Sequence, residues 1–217
     1  MNAARRSDWE SVYLGRREAQ TSWHRPHLDE SLRLIGTLDL AKDAALLDAG
    51  GGRATLVDDL LERGFSDVSV LDISSAALDE ARARLGPRCA RVHWIAGDIR
   101  DVEFPAARYA LWHDRALFHF LVDAASRERY VAQMARAVRL GGYAVIATFA
   151  PDGPERCSGL PVERYDAGAL AAQFAPAFVK LAESRELHRT PSGGEQPFTY
   201  VVLRRLDAVA PQTIEQP

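Results

Sequence analysis

Around residue 113 the chain gathers side chains that can move protons: His113, Asp114 and Arg115 in succession, then His119 about one helical turn later. An imidazole takes up a proton near neutral pH and a carboxylate can orient it, whereas a guanidinium stays charged and serves to orient an acid or grip an anion. The apolar run Arg108-Tyr-Ala-Leu-Trp-His-Asp-Arg115 predicts a buried strand, so these groups stand at a strand's carboxyl end, where open α/β sheets bind ligands. The competing account is a local Asp114–Arg115 ion pair that pins the loop. Cys157 lies in a stretch rich in glycine and proline over 150–161, and a bystander thiol is the simpler reading for it. His93, between Val92 and Trp94, reads as a packed or edge histidine.

Binding chemistry is written earlier, in Ala45-Leu-Leu-Asp-Ala-Gly-Gly-Gly-Arg53. A short apolar run ends in Asp48 and the glycines Gly50, Gly51 and Gly52, and Leu56, Val57, Leu60 and Leu61 then follow at the spacing of one helical face. This is strand, tight turn, helix, with glycine where a ligand must approach the main chain. Val68-Ser-Val-Leu-Asp72 predicts a second strand ending in a carboxylate, roughly 20 residues beyond the glycines, where a nucleotide fold binds ribose hydroxyls. No Gly-Lys-Ser/Thr closes a phosphate loop, and a Gly-x-Gly-x-x-Gly pattern begun at Gly50 would need its third glycine at Thr55.

The elements that must position these residues alternate. Ser74 or Ser75 caps a helix with Ala77, Leu78, Ala81 and Leu85 on one face; Arg91 to Ala96 is a third strand, followed by Gly97-Asp98-Ile99; Ser126 to Val138 is a helix. Tyr143 to Phe149 is a buried fifth strand, and Phe178 to Arg189 with Pro197 to Leu206 form an antiparallel hairpin. Ahead of the sheet, Trp9, Tyr13 and Trp23 sit in a segment with too few apolar residues for its own core. It packs on the domain either as a plain cover or as a lid over a ligand.

A length of 217 residues suits one domain, residues 1–207, with 208–217 expected to fray. A net charge of -3 offers no footprint for nucleic acid. The polar N-terminus and the lack of any run near ~18 apolar residues predict a cytoplasmic protein without a membrane segment. Two cysteines, Cys89 and Cys157, are too few for a disulfide framework.

Asp48-Ala-Gly-Gly-Gly resembles the first motif of class I S-adenosylmethionine-dependent methyltransferases, in which an acid and a variable residue precede alternating glycines; Ala54 replaces the last glycine. Trp112 to Leu121 and Cys157 to Tyr165 resemble a bacterial branch of that class, related to thiopurine- and tellurite-resistance-type enzymes and to certain protein lysine methyltransferases. The resemblance covers roughly Trp9 to Leu206. It implies a Rossmann-like, doubly wound α/β sheet of seven strands with the last strand antiparallel, and a helical lid within 1–40. It also implies S-adenosyl-L-methionine as cofactor and S-adenosyl-L-homocysteine as product, with no metal. The cofactor-binding residues would be Trp9, Tyr13, Trp23, Asp48, Gly50, Gly51, Gly52, Asp72, Ile73, Gly97, Asp98, Ile99 and His113, with Asp98 accepting from the adenine amino group. His113, Asp114, Arg115 and His119 would serve the acceptor. Asp114-Arg-Ala116 resembles the small-molecule enzymes, where the lysine methyltransferases often carry acid-lysine, so a small sulfur or nitrogen acceptor is expected and a protein lysine is the alternative.

Overall fold

Alternation along neighbouring strands decides which layer each side chain joins, because successive residues of a strand point to opposite faces. In β1 (Ala45–Ala49), Leu46 joins one core, with Val68 and Val70 of β2 (Asp67–Asp72), Leu111 of β4 (Tyr109–Arg115) and Val145 of β5 (Val138–Phe149). Ala45, Leu47 and Ala49 join the other, with Leu71, Trp112, Ala144 and Ile146. The first core is covered by α1 (Asp29–Gly36), α2 (Leu56–Glu62) and α3 (Ser75–Leu85). The second is covered by α4 (Ala124–Ala137) and α5 (Ala167–Ala172). Helices on both faces explain why β1 is buried along its whole length.

The structure is a computed structural model and describes residues 9–11, 13 and 22–206. The tail expected to fray over 208–217, and much of the segment before residue 22, lie outside the described residues. With β3 (Val92–Ala96) and the terminal pair β8 (Phe178–Arg189) and β9 (Glu195–Arg205), the main sheet has seven strands in the order β3-β2-β1-β4-β5-β9-β8. All neighbours from β3 to β5 are parallel, and β9 runs antiparallel to both β5 and β8. The doubly wound sheet with its reversed last strand is therefore present. A small hairpin, β6 (Arg156–Cys157) and β7 (Leu160–Pro161), sits in the loop after β5.

Ser74 is the residue that caps α3, accepting from the Ala77 amide at 3.2 Å, while Asp123 caps α4 and Asp166 caps α5. Val138, expected to end a helix, instead begins β5. The strand runs through Leu140-Gly-Gly142, with Gly141 at φ 72°, and its pairing with β4 shifts register between Tyr109 and Leu111.

Candidate active site

The parallel strands deliver their carboxyl ends to a cavity of about 320 Å³. Gly50 enters its wall from β1, Asp72 and Ile73 from β2, Asp98, Ile99 and Arg100 from β3, and Arg115, Ala116 and Leu117 from β4. Trp9, Tyr13, Trp23 and Phe120 close another side, with Trp9 packed edge-on to Phe120 at 5.0 Å and to Trp23 at 6.3 Å between ring centres. Cys157, Leu160 and Pro161 of the small hairpin complete the wall.

Two of the glycines have separate reasons. Gly50 has φ 73°, and a β-carbon there would lie 2.8 Å from the Leu117 side chain; Gly52 has φ 49°, and one there would lie 2.6 Å from the Tyr13 hydroxyl and 3.1 Å from Asp72 Oδ2. The turn therefore needs left-handed backbone and admits no side chain. Gly51 and Gly52 lie behind the wall rather than on it, as does Gly97, whose amide donates to the Asp72 carbonyl at 2.9 Å.

Asp72 is buried at the wall and accepts from the Ser74 amide at 2.8 Å. Burial pushes its carboxyl up to about 7; the Ser74 and Gly52 amides oppose that rise and Asp48 adds to it. The Asp98 carboxylate accepts from Arg100, through Nε at 2.8 Å and the backbone amide at 3.0 Å, so an adenine amino group would share it with that arginine. Glu10 ties the aromatic segment down, accepting from the Ser75 amide at 2.8 Å, the Ser74 hydroxyl at 2.9 Å and the Ala76 amide at 3.3 Å. Burial raises its carboxyl, but these donors outweigh that and hold it below its ordinary range.

The proton-moving cluster of the sequence is split. Because side chains alternate, His113 and Asp114 leave β4 on opposite faces, and neither reaches the cavity wall. His113 points toward α1 and is 2% exposed, with Nδ1 2.7 Å from Asp48 Oδ1 and Nε2 2.9 Å from the Ser31 hydroxyl. Both its nitrogens and the Asp48 carboxylate are thus occupied behind the site. Asp114 accepts from the Leu117 amide at 2.8 Å and the Tyr130 hydroxyl at 2.5 Å, pinning the loop through its own backbone rather than through an ion pair with Arg115. Burial pushes its carboxyl up to about 6 despite those donors. His119 is wholly buried between Phe120 and Phe149, with no hydrogen-bond partner on either ring nitrogen among the described residues. Burial and the Arg115 charge push it down to about 3. The expected bases at residues 113, 114 and 119 therefore do not reach the cavity wall in this geometry.

Arg115 alone of the four lines the cavity. Across β5 it is in register with Ala147, itself in register with Tyr200 of β9, and this small residue leaves a corridor through which Arg115 Nε donates to the Tyr200 hydroxyl at 2.9 Å. Arg115 Nη2 reaches Glu186 on β8 at 3.4 Å, and the guanidinium lies 4.2 Å above the Phe198 ring. Arg25 also pairs with Glu186. The terminal hairpin's part in the site, and that of Glu10, carries no local sequence signal, because each partner is distant along the chain.

A nucleotide-type turn, an acid at the end of β2 and a partly aromatic cavity at the strand ends define an α/β cofactor-binding site. Residues 46–142 match the family model described as a methyltransferase domain. Over 142 residues, 62% of this chain, the sequence is 25% identical to the eEF1A lysine and N-terminal methyltransferase of Bos taurus, of which the chain spans 20%. Two solved structures are similar in fold. One, described as the conversion of a disulfide bond into a thioacetal group during echinomycin biosynthesis, has a TM-score of 0.75 at 21% identity, covering 93% of both chains. The other is the Burkholderia thailandensis 1,6-didemethyltoxoflavin-N1-methyltransferase with bound 1,6-didemethyltoxoflavin and S-adenosylhomocysteine, with a TM-score of 0.69 at 24% identity, covering 94% of this chain and 88% of that one. Over residues 46–142 the chain is thus similar to methyltransferase domains, and its fold is that of the two solved structures. Among the described residues no helix is long and apolar enough to cross a membrane.

Proposed function

We propose that the chain transfers the methyl group of S-adenosylmethionine to a sulfur or nitrogen atom of a small molecule. The observation that carries this reading is the cavity itself, which holds the cofactor-type residues Gly50, Asp72 and Asp98 in one wall with Arg115, Cys157 and Leu160, under the aromatic cover of Trp9, Tyr13 and Trp23. The donor set fits the cofactor. Asp72 is a buried acid at the cavity wall, suited to a ribose diol; the glycine turn admits close approach; and no phosphate-binding lysine is called for. When bound, the cofactor supplies an electrophilic methyl on a sulfonium.

The protein's own work is positioning. Asp72 and Asp98 would hold the nucleoside, Gly50 and Leu117 would bound the space between them and β4, and the aromatic segment would exclude water, so that the chain's contribution is to position the acceptor. The Asp48–His113–Ser31 and Asp114–Tyr130 networks fix the strand ends from behind. With His113 and His119 away from the wall, an acceptor nucleophilic near neutral pH, a thiol of pKa near ~8.5 above an amine near ~10.4, fits best. Cys157 is a wall group, its thiol pushed up to about 11 by burial, and serves as a contact surface rather than a nucleophile.

The match to a protein lysine methyltransferase favours one alternative, a protein acceptor. Incubation with methyl-labelled cofactor and separate pools of metabolites and cell proteins separates the two. Label in the metabolite pool alone supports the proposal, and label in protein alone overturns it.

A further inference from the structure

Building on the small-molecule reading, we propose that Arg115 is the anchor for a carboxylate on the methyl acceptor, which makes the substrate class a flat apolar acid. Two arginines line the cavity, and they differ in how they are satisfied. Arg100 is folded back on Asp98, with Nε at 2.8 Å from that carboxylate. Arg115 has a weaker arrangement: its nearest carboxylate, Glu186, stands 3.4 Å from Nη2 and is shared with Arg25, and Nε goes to a neutral hydroxyl on Tyr200. The Tyr200 hydroxyl donates onward to the same Glu186 at 2.8 Å, so three donors compete for one acid. Asp29, the other acid of this group, pairs with Arg25 at 3.2 Å and is largely in water. Arg115 Nη1 has no partner among the described residues.

An arginine side chain only 5% exposed has surrendered most of its hydration, and half a carboxylate repays that poorly. An incoming carboxylate at Nη1 completes the pairing in a low-dielectric wall, where a charge-assisted hydrogen bond is strongest. The neighbours set the remainder of the ligand. Trp9, Trp23, Phe120, Leu160 and Pro161 present apolar and aromatic faces, suited to a ring or alkyl body and poorly suited to a second charge. Phe198 beneath the guanidinium, at 4.2 Å, and the Tyr200 hydroxyl hold its plane fixed, so the group is pre-organised for a planar anion.

The test is calorimetric titration of benzoate against benzamide, and indole-3-acetate against its amide, with and without S-adenosylhomocysteine. In the wild type each acid should bind about tenfold tighter than its amide or better. Arg115→Gln should remove that preference while leaving affinity for S-adenosylhomocysteine within about twofold, which also reports a folded protein, and Arg115→Lys should keep part of it. Equal binding of acid and amide, binding of neither, or a preference that survives in Arg115→Gln overturns the proposal. A loss of about tenfold in S-adenosylhomocysteine affinity in Arg115→Gln overturns it too, assigning the arginine to the cofactor's own carboxylate. Acid preference in a wild type that binds no S-adenosylhomocysteine would leave the anion site standing and sink the methyl-transfer reading instead.

Discussion

Asp48 of β1 and His113 of β4 are register partners, and their side chains meet at 2.7 Å on the face covered by α1, whose Ser31 hydroxyl closes the other ring nitrogen at 2.9 Å. Two polar residues side by side in the middle of a sheet are tolerable because each satisfies the other. The pair holds the carboxyl ends of β1 and β4 together behind the glycine turn.

His113→Ala should therefore cost stability first, by about 3 kcal/mol, since it strands a buried carboxylate; Ser31→Ala should cost about 1 kcal/mol. Urea unfolding measures both. Unchanged stability in His113→Ala together with abolished methyl transfer would return this histidine to the chemistry.

Asp72 predicts a pH profile. In the unfolded chain its carboxyl ionises near ~3.9, in the folded protein at about 7. Between those values the folded state keeps a proton that the unfolded state has released, so the residue's drain on stability is absent below about pH 4, grows as pH rises and is complete above about 7. Hydroxyl donors from a ribose favour the ionised form. Affinity for S-adenosylhomocysteine should thus climb by up to about tenfold per pH unit from pH 5 toward 7 and then level, with close to one proton released on binding at pH 6. Asp72→Asn should flatten the profile, weaken binding by about 1.5 to 3 kcal/mol and stabilise the free protein at pH 8. A pH-independent wild type would refute the assignment.

That Gly50, Asp72 and Asp98 would share one cavity was legible in sequence because each signal is local. The glycine turn and Asp98 follow strands closely and Asp72 ends one, and the sheet order then brings them together. The acceptor half was legible only as composition. His113, Asp114 and Arg115 share a strand end, yet the two-residue period of the strand sends His113 to the Ser31 side and Asp114 to the Tyr130 side. Tertiary packing, absent from the local pattern, then decided where their side chains are held. Arg115 remained at the wall because Ala147 is small and Tyr200 and Glu186 wait beyond it, on strands that enter the sheet from the far end of the chain.

The cover makes its own prediction through Glu10, whose carboxylate holds the Ser75 and Ala76 amides at the start of α3, beside Asp72. Glu10→Ala removes an anion from a helix N-terminus and the direct clasp that Glu10 makes between this aromatic segment and α3, at about 1 to 2 kcal/mol. We expect S-adenosylhomocysteine to bind about tenfold more weakly and to protect Trp9 and Tyr13 less from proteolysis. Equal protection in the variant and the wild type would deny the segment a role as a lid.

His119 yields the most discriminating variant, because a base and a framework residue predict opposite results. Its ring sits 4.4 Å from Phe120 and 4.8 Å from Phe149, centre to centre, with neither nitrogen hydrogen-bonded among the described residues. A neutral imidazole has one donor and one acceptor, and leaving them dry costs about 1 to 3 kcal/mol. Burial, with Arg115 adding to it, pushes the folded pKa down to about 3, against ~6.5 when unfolded. The unfolded chain therefore takes up a proton that the folded protein refuses, and stability drains away as pH falls through about 6.5 toward 3. His119→Leu, apolar and of similar size, should be more stable than wild type by about 1 kcal/mol at pH 7, and by up to about 1.4 kcal/mol more for each pH unit below 6.5. Methyl transfer should persist across pH 6 to 9, since the side chain does not reach the cavity wall. Urea unfolding at pH 5 and 7, with turnover measured in parallel, decides the matter: a stable variant that still binds S-adenosylhomocysteine but has lost its activity would put His119 back among the bases.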